Sequence, residues 1–238
     1  IDNYWFSTGT PSSLINLLRV RQLNMPDLEN VVVGMSAFDA PTERISDPIP
    51  VLFQSGYLTL KAYDPIGKLW TLGFPNEEVY RGFAESLYKY YCADYYGSND
   101  RMTVAWWNML RKKTTFEDFI ESVRRWYAGI PYSITDKNQN EQFYQSLFYS
   151  LMAGIGADIH AEEQTSDGRM DIALKMQDAI YIIEFKFGKS ADEAISQIKT
   201  KNYAVRFAAD TRPVIAVGLN ISEDRRTISD WRMEIIKK

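Results

Sequence analysis

Cysteine and histidine are almost absent from this 238-residue chain: Cys92 and His160 are the only examples of each. A single thiol excludes an internal disulfide and any zinc site built on cysteine, and it fits a reducing cytoplasm. No apolar run approaches the roughly 18 residues of a membrane-spanning helix, and no secretory signal is read at the start. Excess positive charge is missing too. The 27 Lys and Arg face 31 Asp and Glu, a net charge of −4, which argues against a dedicated high-affinity nucleic-acid binder while leaving local patches open. No GxxxxGK[ST] phosphate loop occurs, and no repeat or low-complexity segment stands out.

What the chain has is apolar bulk. Hydrophobic residues make up 45%, with 15 Tyr, 12 Phe and 6 Trp, enough for a substantial core in one or two domains. The chain opens at Ile1 without Met and runs straight into YWFSTGTP, which gives the expectation of a piece of a longer protein. Thr10 and Pro11 suit the start of a helix over 12–22 with Leu14, Leu17 and Leu18 as its stripe. A short helix is expected from Pro50 to Gln54, closing at Gly56, then strands from Tyr57 to Tyr63 and Leu69 to Gly73. Asp64-Pro65-Ile66-Gly67 joins these strands as a turn, with Pro presetting one dihedral and Gly permitting a positive one. Helix, glycine and hairpin suggest a winged-helix-like unit. Helices follow from Glu77 to about Tyr95, to about Lys112, and to about Ala128 behind a Thr114/Glu117 capping box. Gly129-Ile130-Pro131 is the expected domain boundary, giving 1–128 and 129–238.

Beyond that break the pattern reads αβββαβ(β), an α/β sandwich around a mixed sheet. A helix runs from Asn140 to Ala153, and a short strand from Ala157 to Glu162. A Ser190/Glu193 capping box starts a helix to about Lys199, and a buried strand spans Arg212 to Leu219 before a last strand from Thr227 to Ile236. The centre of this half is Arg169 to Phe187, where period-two alternation gives two strands, each with one face for burial. A two-residue turn at Gln177-Asp178 sets Met176 against Ala179, Asp171 against Glu184 and Arg169 against Lys186. Glu184 and Lys186, two apart, share a face that Asp171 joins. Two carboxylates side by side repel unless a cation lies between them, so this pattern suggests a divalent-metal site with a lysine beside it.

Asp171 on one strand, Glu184-Phe185-Lys186 on the next, and helices on either side resemble the PD-(D/E)XK nuclease-like superfamily over about 138–238. SDGRMD followed by IIEFK, with Gln197 on the later helix, is similar to the nuclease-like domain ending a bacterial family whose members begin with an AAA-ATPase-like region. YWFSTGTP, LFQSGYLTL and WTLGFPNEEV carry the same resemblance. The implied fold is a restriction-endonuclease-like α/β sandwich behind a mostly α-helical, winged-helix-like end of the ATPase-like part. The implied activity is metal-dependent hydrolysis of DNA phosphodiester bonds. Asp171 and Glu184, with the Phe185 carbonyl, would hold Mg²⁺ or Mn²⁺, while Lys186 would act on the attacking water and the phosphate. Glu141, Glu162 and Gln197 take accessory positions. Any ATP site lies in the upstream ATPase-like domain, the implied partner besides DNA. A cytoplasmic location is the expectation from the single cysteine. The competing reading keeps the fold as an inactive module for nucleic-acid or protein interaction. His160 reads as a strand residue, Cys92 as core, Arg169 as a cross-strand partner for an acid, and Tyr88, Tyr91 and Tyr95 as helix packing.

Overall fold

The structure, a computed structural model, describes residues 14–15, 17–18, 23, 25–38, 47–91, 104, 106–109, 111, 114–130, 140–161, 172–224 and 226–238. Contacts divide the chain into two compact units, Ile1–Tyr90 and Tyr91–Lys238. Among the described residues no helix is long and apolar enough to cross a membrane. Cys92, Arg169 and the side chains of Tyr88, Tyr91 and Tyr95 lie outside the description.

In the first unit, helix α1 (Pro48–Gln54) begins where the Asp47 carboxylate accepts a hydrogen bond from the Ile49 amide at 3.0 Å. Two prolines in its first turn forfeit only amides that lack helical partners. It closes at Ser55, and Gly56 takes the left-handed conformation, φ 78°. Strands β2 (Thr59–Asp64) and β3 (Leu69–Gly73) form the expected hairpin, and β1 (Val31–Val33) adds to its other side in the order β1-β3-β2. The turn works differently from its sequence reading. Asp64 accepts from the Ile66 amide, and the positive φ of 52° falls on Lys68, not Gly67. Gly67 supplies room instead, since an added Cβ would stand 2.8 Å from Asp64 Oδ2. Helix α2 (Glu77–Tyr91) follows, its first turn capped by Asn76, and Phe83 packs against Phe74 at 5.5 Å.

The second unit is built on the sheet β4-β5-β6-β7-β8. Its strands are β4 (Asp158–Ala161), β5 (Ile172–Lys175), β6 (Ile180–Phe187), β7 (Val214–Ile221) and β8 (Ile228–Lys237). Every neighbouring pair is antiparallel except β6 and β7, which are parallel. Helix α5 (Ala191–Thr200) makes the crossover between those two. The mixed α/β architecture and the αβββαβ(β) order are those read from the sequence.

The two faces of β6 are covered by different helices. Ile180 and Ile182 pack with Ile195 and Ile198 of α5 and with Val214 and Ala216 of β7. On the other face Tyr181 stacks on Phe116 of helix α3 (Phe116–Ala128), with ring centres 4.5 Å apart. Phe185 meets Phe148 of helix α4 (Glu141–Gly154) edge-on. The expectation of one buried face per strand therefore fails for β6, which is buried on both sides except at Phe187. Period two shows which residues share a face, but not how many layers cover the sheet.

Helix α3 also accounts for a difference at the domain boundary. Its Tyr127 hydroxyl donates to the Tyr144 carbonyl at 2.7 Å, and its Arg124 carbonyl accepts from Thr227. Those contacts tie it to the sheet unit, so the contact division falls at Tyr90/Tyr91 instead of at Gly129. Its capping box is Thr115 with Asp118, one residue beyond the Thr114/Glu117 reading.

Gly218 lets the first turn of α5 lie directly on β7. An added Cβ would run into the Ala191 carbonyl oxygen and touch the Ala194 side chain. Both obstacles belong to a packed helix backbone or its short side chain, so neither swings aside. Gly218→Ala is expected to destabilise the protein by about 1–3 kcal/mol or more, read from the shift in urea midpoint at unchanged slope.

Candidate active site

The candidate site lies at the C-terminal end of β6. The turn at Gln177-Asp178 closes with the Met176 amide donating to the Ala179 carbonyl at 2.9 Å. Pairing then runs from Lys175↔Ile180 to Ile172↔Ile183, the register derived from the alternation. Asp171, the residue before Ile172, lies outside the described residues, as does Glu162. Beyond Ile183, strand β6 continues through Glu184, Phe185 and Lys186 against β7.

The direction of the backbone groups here follows from two hydrogen bonds. The Ile180 amide donates to the Pro213 carbonyl and the Gly188 amide to the Ile221 carbonyl. Even-numbered residues of β6 thus turn their peptide groups toward β7, and odd-numbered ones toward β5. The Phe185 carbonyl accordingly points to the β5 side, past the last described pair. It accepts a hydrogen bond from Lys186 Nζ at 3.0 Å.

Lys186 Nζ makes two further bonds, to Glu184 Oε1 at 2.6 Å and Glu141 Oε1 at 3.1 Å. Glu184 and Lys186 are on one face of β6, whereas Glu141 is the first residue of α4, which packs on the other. Asn140 places it by capping α4, its side chain accepting from the Phe143 amide. Glu184 is 4% exposed and Lys186 5%, while the Glu141 side chain retains 39%. Three oxygens from three residues therefore converge on one cation, two of them charged.

Burial pushes the Glu184 carboxyl above its ordinary pKa, and the hydrogen bond and charge of Lys186 draw it only partly back. Burial alone would lower the Lys186 pKa. The hydrogen bond and charge of Glu184, with Glu141 in support, outweigh that effect and raise it. Lys186 is therefore an ammonium throughout the neutral range. Lys201, at the end of α5, is a further positive charge felt by Glu184. Sequence reading missed Lys201, and its position four residues after Gln197 on the same helix was the available signal.

Other sequence candidates fall elsewhere. Gln197 is half-buried on α5, and among the described residues no hydrogen bond joins it to Glu184, Lys186 or Glu141. His160 is exposed on β4 and pairs with Asp158 at 2.6 Å, two residues away on its own strand. Asn220 went unnoticed because the strand was expected to end at Leu219. It is buried beside Lys186 in the parallel register, accepts from the Lys189 amide and donates to Ser229 Oγ. An amide inside the apolar run of β7 was the signal for it.

Among the described residues no group of three or more His, Cys, Asp and Glu is assembled to hold a metal ion. The donor set nonetheless suits a hard divalent cation: two carboxylates and a carbonyl already close around one positive charge. A five-stranded mixed sheet, helices on both faces and Glu-x-Lys on the central strand define a restriction-endonuclease-like fold. Residues 139–231 match the model of the PD-(D/E)XK nuclease superfamily and form a domain of that superfamily. The chain is also 33% identical over 248 residues to an Azotobacter chroococcum mcd 1 protein described as "Uncharacterized protein in vnfD 5'region". That alignment covers 97% of this chain and 46% of the relative, so the chain spans about half of the relative's length. No solved structure matches the chain.

Removing one member of the buried pair is costly because it strands the other. Glu184→Ala is expected to cost about 3 kcal/mol, whereas joining it with Lys186→Met recovers much of that loss. Lys186→Met alone removes the charge that lowers the Glu184 pKa, so that pKa rises further. The folded state then holds the Glu184 proton more tightly than the unfolded chain does. The deficit of this variant relative to wild type is expected to be smallest at acidic pH. It should grow as pH rises through the shifted Glu184 value. Urea denaturation of all four proteins at mildly acidic and neutral pH measures both effects.

Proposed function

We propose that the domain is a metal-dependent nuclease that hydrolyses DNA phosphodiester bonds, within a larger ATPase-like protein. The observation that carries this reading is the convergence of Glu184, Glu141 and the Phe185 carbonyl on a single cationic point. It lies in a domain of a nuclease superfamily, on the strand that bears Glu-x-Lys. Asp171 enters the proposal from the sequence pattern, in which it precedes the strand Ile172–Lys175 and lies outside the described residues. In this reading Asp171, Glu184 and the Phe185 carbonyl hold Mg²⁺ or Mn²⁺, and Glu141 and Glu162 are accessory acids. Gln197 acts as a polar neighbour on α5.

When bound, the ion supplies a more acidic water and neutralises charge on the phosphate. Lys186 then has two roles. Its ammonium offsets charge developing on the phosphodiester and orients the attacking water by hydrogen bonding. Without metal it satisfies two of those ligands, Glu184 and the Phe185 carbonyl, so Lys186 competes with a divalent ion for them. The net charge of −4 favours weak DNA binding by these residues alone, so efficient turnover draws on the upstream region, to which any ATP site also belongs. A cytoplasmic site of action completes the proposal and accords with the lone cysteine.

The test is Mn²⁺ calorimetry together with plasmid nicking. Asp171→Ala and Glu184→Ala are expected to weaken Mn²⁺ binding more than about tenfold, the scale on which even indirect metal contacts act. Lys186→Met is expected to tighten Mn²⁺ binding several-fold while abolishing most nicking. Absence of Mn²⁺ binding in the wild type, or nicking that survives all three substitutions, would favour the inactive module instead.

A further inference from the structure

Among the described residues the sheet of the second unit ends at β8, a ten-residue strand with no proline whose pairing with β7 shifts register near each end. Long unprotected edges invite pairing, and natural proteins usually shorten them or interrupt them with Pro or Lys. The directions of its backbone groups follow from the ladder. Odd-numbered residues of β7 turn toward β6, so Ala216, Gly218 and Asn220 turn toward β8, opposite Glu234, Arg232 and Asp230. Trp231 and Met233 therefore direct their N–H and C=O groups to the open edge, and Ile235 stands where the pairing with β7 shifts register. The side chains of Met233 and Ile235 are 43% and 55% exposed.

We propose that β8 pairs antiparallel with β8 of a second copy of this chain about a two-fold axis at Met233, joining two five-stranded sheets. This proposal is independent of whether the candidate site cuts DNA. The segment Trp231-Arg232-Met233-Glu234-Ile235 is complementary to itself when reversed. Met233 meets the partner's Met233, Trp231 meets the partner's Ile235, and Arg232 meets the partner's Glu234. Outward-facing backbone groups then oppose outward-facing ones, so Met233 and the partner's Met233 exchange both hydrogen bonds. Arg232 and the partner's Glu234 fall at a non-hydrogen-bonded position, where side chains stand closest. Aromatic opposite β-branched and opposite charges facing each other are favourable cross-strand pairs.

The charges also disfavour the two adjacent registers. Centring the axis on Arg232 or on Glu234 sets like charges directly across the ladder, which is unfavourable. Within the subunit Arg232 pairs with Asp192 at 2.8 Å and Glu234 with Lys199 at 2.7 Å, on the α5 face. These pairs hold the two side chains upright on that face, and they are exposed enough to contribute little to folding. A foreign strand would have to reproduce this alternation, whereas a second copy carries it already.

Sedimentation velocity of the 238-residue chain over a dilution series tests the proposal, with circular dichroism as the check on folding. The wild type is expected to dimerise and to dissociate on dilution. Met233→Pro removes an amide that points away from β7, so the fold is expected to persist while the dimer is lost. Arg232→Glu opposes an acid to the partner's Glu234 and is expected to give monomers, and adding Glu234→Arg is expected to restore the dimer. The charge pair keeps the test decisive if the proline variant misfolds. A wild type that is monomeric at every concentration would overturn the proposal. So would a dimer that survives Arg232→Glu, or a double variant that stays monomeric.

Discussion

An ammonium group buried in the central strand of a sheet is the constraint on which the second unit depends. Taking Lys186 out of water costs several kcal/mol unless oxygens replace its hydration. Glu184, Glu141 and the Phe185 carbonyl do so, and each is in reach for a separate structural reason. Glu184 is there because residues two apart on a strand share a face. The carbonyl is there because odd-numbered residues of β6 turn their peptide groups toward β5. Glu141 is there because Asn140 starts α4 at one particular residue. Strand period, ladder direction and helix cap thus meet at one nitrogen.

The same strand changes character along its length. Its even-numbered face begins as Ile180 and Ile182 under α5 and ends as Glu184 and Lys186. The apolar half anchors β6 between two helical layers, and that rigidity holds the polar half in place. Gly218 contributes by letting α5 sit close on β7, and Asn220 of β7 by accepting from the Lys189 amide in the link between β6 and α5. Carboxylates held this way already close around a positive charge, that of the chain's own lysine. A superfamily domain at 139–231 gives that arrangement its chemical context.

Much of this fold was legible beforehand, because its signals are local. The two strands flanking Gln177-Asp178 and their register followed from alternation and turn length. Ser190 with Glu193, and Asn140, marked helix starts because their side chains cap amides only two or three residues away. Readings one step less local drifted. The α3 cap moved from Thr114 to Thr115, since either hydroxyl is chemically suitable. The positive φ of the Asp64 turn falls on Lys68 instead of Gly67, whose missing Cβ leaves room for the Asp64 carboxylate.

The sequence by itself determined which residues of β6 face the same way, where α4 and α5 begin, and that Glu-x-Lys stands on a strand before a helix. Those properties depend on neighbours within a few positions. Only the tertiary structure decided that both faces of β6 are covered and that α3 belongs with the sheet. It alone decided that Glu141, 45 residues distant, bonds Lys186. Whether a charged strand face is solvated or buried depends on which helices pack over it. That follows from long-range packing of Phe116 on Tyr181 and Ile198 among Ile180, Ile182 and Val214. Residue spacing carries none of that information.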